Sequence, residues 1–298
     1  MAVLKQEQKI NLTTKKQHPR LRSMKDFYRK LKRNKAALVG GYLILFLTIV
    51  SLIGPYFLSN GINDVDYTAR LQPPSAEYWL GTDQHGRDIF SRIIYGGQIT
   101  LIVGFLSVAL GGIVGVAIGI ASGYYGGKID TVIMRLMDIL LAFPGILLAL
   151  AIVSILGPDI VNVIYAVAIY SIPSFARIAR GSTLSVKKLE YIDAVRGIGA
   201  GDFRILVRHV LPNVISPLIV QATLSIATAI LTASGLSFLG LGAQPPSPEW
   251  GAMLNDGRGY MHDAGHIALF PGLAIVIAVL AFNLFGDGIR DALDPKSK

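Results

Sequence analysis

The stretch Leu189–Asn213, LEYIDAVRGIGAGDFRILVRHVLPN, is a polar, basic segment set between two long apolar runs. Leu189, Ile192, Val195 and Ile198 recur at helical spacing, so one side of a first short helix is apolar. Gly197, Gly199 and Gly201 interrupt the pattern, and Gly199 is expected to need a positive φ. Phe203, Leu206, Val207 and Val210 resume it, and Pro212 is expected to stop it. Nothing in the segment has the makings of catalysis. A helix, a glycine break and a second helix, held between apolar spans, form either a docking surface for another protein or an amphipathic element lying on a membrane.

Composition sets the class. Of 298 residues, 52% are hydrophobic and 16% charged, against roughly 25% charged in soluble domains. The chain reads as all-α and polytopic. Cysteine is absent, which excludes disulfides, thiolate chemistry and cysteine metal sites. A formal net charge of +9 could suit nucleic acid. Its placement argues otherwise, because 12 of the 28 Lys and Arg fall in residues 1–35, beside the first apolar run.

Residues 1–35 form a basic tail ahead of a membrane domain, 36–298. Residues 1–20 are expected to be disordered, with no signal-peptide core. Leu21, Met24, Phe27, Tyr28 and Leu31 then share a helical face opposite Arg22, Lys25, Arg29, Lys32 and Arg33, which predicts an interfacial helix. Six transmembrane helices are expected: Ala36–Leu58, Ile99–Ser122, Val132–Leu156, Ile160–Ile178, Ser216–Leu239 and Ile267–Gly288. The 179–215 loop holds Arg180, Lys187, Lys188, Arg196, Arg204 and Arg208, whereas the 59–98 loop has more acids than bases. That asymmetry puts 179–215 and both termini in the cytosol, and 59–98, 157–159 and 240–266 outside.

Several residues inside the spans stand out. Gly111, Gly115, Gly119 and Gly123 repeat every four residues and predict a seam of close helix packing. Asp138 in the third span is either a proton relay or, as the reading preferred here, a local pair with Arg135. Pro144 should kink that span. Gln221, Ser225, Thr228 and Thr232 share one face of the fifth, where they either line a watery path or bond to neighbouring helices. In the outer loop, His85 with Asp83 and Asp88 is a weak metal candidate, and no metal is expected.

The motifs resemble those of ABC importer permeases. Asp193-Ala194-Val195, Gly199, His209 and Leu211-Pro212 keep the spacing of the family's EAA loop, with Asp193, Val195 and His209 departing from its usual residues. Gly81-Thr82-Asp83, Gly86-Arg87-Asp88 and Ser91-Arg92 resemble a signature of the peptide and nickel permeases. Gly97-Gln98-Ile99-Thr100 departs from the usual continuation. Ala142-Phe143-Pro144, Ser237–Gly242, Pro248–Gly251 and Gly286–Pro295 extend the likeness from about Lys25 to Pro295. It is nearest to the C-type permease subunit of dipeptide, oligopeptide and glutathione importers. The resemblance implies a type I ABC importer permease in a bacterial inner membrane. It implies a second related permease, two ATPase subunits carrying ATP and Mg, and an extracytoplasmic solute-binding protein as partners, with no cofactor on this chain. It assigns ATPase coupling to Leu189, Ile192, Asp193, Ala194, Val195, Gly199, Leu211 and Pro212. It also favours the path reading for Gln221, Ser225, Thr228 and Thr232.

The chain lacks the means for chemistry of its own. Gly127-Lys128 is followed by Ile129 and preceded five residues earlier by Ser122, so there is no phosphate-binding loop. A nickel-chelate importer is the alternative within the family. An ion-driven transporter would show paired intramembrane carboxylates or a repeat. A membrane enzyme would need more than His262, Asp263 and His266 at one interface.

Overall fold

The computed structural model describes residues 27–58 and 61–293. The basic tail, with most of the expected interfacial helix, lies outside the described residues; residues 27–33 are helical. Ten named helices follow: α1 (Lys35–Ile53), α2 (Ile89–Tyr125), α3 (Gly127–Leu141), α4 (Gly145–Leu156), α5 (Ile160–Lys187), α6 (Glu190–Gly197), α7 (Asp202–Ile205), α8 (Leu211–Phe238), α9 (Trp250–Gly257) and α10 (His266–Leu293). A π-turn, Leu206–Val210, joins α7 to α8. Among the described residues there is no β-strand, only an isolated bridge between Thr82 and Asp88.

Five helical stretches are long and apolar enough to cross a membrane, and α3 with α4 makes a sixth if counted as one. That pair is bent by 91° at residues 142–144. The single kinked span expected around Pro144 is therefore two helices. Proline cannot donate to the preceding turn and disfavours helix in the residue before it.

Other helices outrun their apolar windows. α2 begins at Ile89, ten residues before the expected Ile99, because the Asp88 carboxylate caps Phe90 N and Ser91 N at 3.3 and 3.1 Å. Its 37 residues make it about 55 Å long. α5 continues past Ile178 to Lys187, with Ala179, Thr183 and Val186 buried along its inner face. Pro212 does not end a helix. It sits at the start of α8, and Asp202–Phe238 runs on as one stretch. A π-turn immediately precedes it, and Asn213 Nδ2 donates to the His209 carbonyl at 2.6 Å.

The glycine repeat positions the frame. Gly111, Gly115, Gly119 and Gly123 of α2 lie against the backbone at Ala168, Ile172, Ala176 and Arg180 of α5. A methyl on Gly115 would stand 2.6 Å from the Ile172 carbonyl oxygen. Both series rise by four, so α2 and α5 run parallel and in register. The chain between them must return to its starting side, so the bent α3–α4 pair acts as one crossing, giving six.

α1 packs antiparallel on α10. Gly40 abuts the Ala281 carbonyl and Phe285 N, Gly288 abuts Ala37, and Asn34 Nδ2 donates to Asp291 Oδ2 at 3.2 Å. Gly54 at the other end of α1 meets Ile94 near the start of α2. One face of the bundle therefore carries the beginning of α1, the ends of α2, α5 and α10, and all of α6–α7. The opposite face carries residues 61–88 and 240–266.

Candidate coupling surface and translocation path

On the first face, α6 ends in a Schellman motif. Gly199 N donates to the Arg196 carbonyl at 3.0 Å and Ala200 N to that of Val195 at 3.3 Å. Gly199 has φ +87°, in the left-handed region that L side chains enter only at a cost. Val195 and Ala200 pack together against the core beneath the turn. This closure sends the chain sharply from α6 into α7.

The apolar residues of the segment divide. Ile192, Ile205 and Val210 are fully buried and anchor it to the bundle. Ile198 and Phe203 are 85% and 80% exposed, and Leu189 is half exposed. Ala194, Pro212 and Asp193 also face outward, Asp193 with Arg196 Nη1 at 3.4 Å, while Leu211 is partly buried. Of the residues grouped from sequence as one surface, Ile192 points the other way: it holds the helix from behind.

The α8 stripe climbs from Gln221, whose Nε2 donates to Ser225 Oγ at 3.0 Å, through exposed Thr228 to buried Thr232. Gly235, on the same face one turn further, looks at Ile146 of α4. Only the far end of the stripe thus comes beside α4, and Thr228 is left exposed. On α3, Asp138 takes Arg177 of α5 as its partner at 2.7 Å, not Arg135. Both side chains are more than half exposed. Helix spacing made Arg135 the obvious partner, and only the packing of α3 on α5 offered a better one. The other flank of α8 forms, with α2, a groove of about 650 Å³ lined by Phe105, Ile113, Phe175, Phe203, Leu218 and their apolar neighbours. Such a lining offers nothing to a charged solute.

The charge-rich signature on the opposite face is turned inward. Asp83 accepts from His85 N, Arg87 N and Arg87 Nε at 2.8, 3.0 and 2.6 Å. Arg92 is 1% exposed, and its Nη1 donates to the Ile62 carbonyl at 2.9 Å while Pro246 O lies within 3.4 Å. Arg87 also reaches Asp256 at 3.7 Å. Burial pushes the Asp256 carboxyl above the usual carboxylate range, with Arg87 opposing the shift. His266 Nε2 meets the Thr82 carbonyl at 3.2 Å. Glu249 caps α9 at Ala252 N, 2.9 Å away, and accepts from Ser234 Oγ at 3.1 Å. The carboxylates near His85 already serve Arg87 and the α2 cap, and no metal-binding group of three occurs among the described residues.

Residues 115–298 match the family described as binding-protein-dependent transport system inner membrane component, and residues 23–74 match the N-terminal transmembrane domain of oligopeptide transport permease C. The chain is 50% identical over 275 residues to a glutathione transport system permease protein, GsiD, of Pectobacterium atrosepticum, covering 92% of this chain and 91% of the relative. It is 48% identical over 274 residues to a dipeptide transport system permease protein, DppC, of Alkalihalophilus pseudofirmus, covering 92% and 90%. Among solved structures, an inward-facing MetNI methionine ABC transporter chain superposes with a TM-score of 0.55 at 18% identity, covering 69% of this chain and 98% of the other. That likeness concerns the fold: all-α, of the ABC importer permease type.

Proposed function

The chain belongs to the inner membrane components of binding-protein-dependent transport systems, and from that membership we infer that it forms half of the translocation path of an ATP-driven importer of di- or oligopeptides or glutathione. It is a transport subunit, not an enzyme. Relatives named for glutathione and dipeptide transport support the substrate class. The partners are a second permease, two ATPase subunits that bind ATP and Mg, and an extracytoplasmic binding protein. The face bearing α6–α7 is cytosolic, with both termini. Lys187, Lys188, Arg196, Arg204 and Arg208 cluster there, as the positive-inside rule requires.

The α6–Gly199–α7 turn carries the reading. Ile198 and Phe203 offer the ATPase an apolar contact, while Ile192 and Ile205 fix the turn to the bundle. Closure of the two ATPases on ATP displaces this turn. Because Asp202–Phe238 is one helical stretch, the displacement enters α8 directly. Gln221, Ser225, Thr228 and Thr232 then change their exposure to the path. The Asp138–Arg177 pair belongs to the same path, since an exposed ion pair within membrane spans is costly against lipid and stable against water.

Gly199→Val tests the coupling. No atom lies within 4 Å of the new Cβ position, so the change acts through the backbone alone. A β-branched residue at positive φ costs about 1–3 kcal/mol, which reshapes the turn without unfolding six spans. The variant is expected to insert normally, to lose co-purifying ATPase subunits and to lose substrate-stimulated ATP hydrolysis. Full association with full stimulated hydrolysis would refute the role given to α6–α7.

A further inference from the structure

Tyr124 ends α2 on the cytosolic face and is 4% exposed, although it lies one residue from the helix end. Three further elements meet on it. Its hydroxyl donates to Asp202 Oδ1, the first residue of α7, at 2.6 Å. Arg196 of α6 donates to the same hydroxyl at 3.4 Å. Lys187, the last residue of α5, donates from Nζ to the Tyr124 carbonyl. The Lys187 and Arg196 cations also lie 5.6 and 5.8 Å from the ring centre, within cation–π range.

A second tie secures the body around it. Asp130 of α3 forms a two-pronged pair with Arg180 of α5, both contacts at 2.5 Å, and accepts from Ser122 of α2. The inner ends of α2, α3 and α5 are thus locked together by Asp130 and the glycine seam. The α6–α7 segment is joined to α5 and α8 through the chain. Among the described residues, its side-chain hydrogen bonds to α2 run through Tyr124 alone.

We propose that Tyr124 is a positioning residue that latches the α6–α7 turn to α2, so that displacement of the turn moves α2, α3 and α5 as one body along with α8. Without the latch, the same displacement would reach that body only through the two-residue link of Lys188 and Leu189 between α5 and α6. The proposal rests on the coupling reading of α6–α7 given above. The ring supplies a flat surface for two cations, and the hydroxyl supplies the directional bond to Asp202. Phenylalanine keeps the first and removes the second.

The test uses the cysteine-free chain with nitroxide labels at Ile129→Cys on α3 and Arg204→Cys on α7, both exposed. Their separation is measured by pulsed electron spin resonance, in the permease alone in nanodiscs and in the complex with its ATPases, with and without ATP. In the otherwise native chain the distance is expected to stay narrow and unmoved by ATP. Tyr124→Phe should broaden it, since losing one hydrogen bond to a charged group shifts the latched-to-free ratio about tenfold. Asp202→Ala should broaden it too, by no more than Tyr124→Phe, because Arg196 still reaches the hydroxyl. The double variant should be no broader than Tyr124→Phe, which already removes the bond to Asp202. An unchanged narrow distribution in Tyr124→Phe, or additive broadening in the double variant, overturns the latch. If the ATPases fail to assemble with the unsubstituted chain, the coupling reading falls, and the isolated permease still decides the latch.

Discussion

The two extramembrane faces use their polar residues in opposite ways. On the face bearing residues 61–88 and 240–266, Asp83, Arg87, Asp88, Arg92 and Glu249 are buried and bonded to one another, to carbonyls or to helix ends. On the face bearing α6–α7, Asp193, Arg196, Ile198 and Phe203 stand in the open. The charges of the 81–92 signature are thereby closed on one another and on the backbone, while the α6–α7 turn leaves the apolar Ile198 and Phe203 free to meet a partner. Charge density in a motif therefore does not locate a binding surface. What locates it is whether the side chains already have partners inside the fold.

The sharpest way to break this contrast is at Arg92. Arg92→Ala would orphan the carbonyls of Ile62 and Pro246 and leave Asp83 with less compensation. Breaking a buried charged contact costs about 3–5 kcal/mol. The expected result is a large drop in thermal midpoint and in the yield of monodisperse protein. A variant with unchanged melting would mean that the 81–92 cap is not held from within.

Gly115→Leu probes the frame that separates the two faces. The side chain would collide with the Ile172 carbonyl and with Phe175 Cβ, 2.6 and 2.7 Å from the first added atom. Overpacking costs about 1–3 kcal/mol, and here the obstacle is partly backbone. Assembly with the second permease and recovered protein should both fall. Normal yield and transport would show that α2 and α5 can separate without penalty.

Ile198→Asp should be the mildest for the chain itself, within about 0.5 kcal/mol, as for exposed sites generally. Its effect should appear only in reduced co-purification of the ATPases. Unchanged association would place the contact elsewhere on the segment. Thr228→Cys should likewise leave stability alone while a small water-soluble thiol reagent modifies it and lowers transport. Failure to modify both Thr228→Cys and Ser225→Cys would remove the α8 stripe from the path.

Much of this was legible in the residues. Apolar runs of membrane length fix the class, and the residues named in the two signatures fall at the 81–92 cap and between α6 and the start of α8. Gly199 could be read as needing a positive φ because a helical pattern breaks and resumes around it. Helix ends were less legible: Asp88, Thr183 and Val186 extend helices where hydropathy has already faded. Asp138 was legible as an intramembrane charge, but its partner was not, since Arg177 is 39 residues away on another helix. Tyr124 gave no signal at all. A lone tyrosine at the end of an apolar run is ordinary, and its partners Lys187, Arg196 and Asp202 lie 63 to 78 residues further on.

The sequence by itself determined that the chain is helical, lives in a membrane and resembles an importer permease, because hydropathy, glycine spacing and turn chemistry are local properties of the backbone. Tertiary structure alone decided the 91° break between α3 and α4, the passage of one helix through Pro212, the pairing of Asp138 with Arg177 and the gathering of three further elements on Tyr124. Each of these depends on which helix faces which, and that choice is made by close packing between segments far apart in the chain.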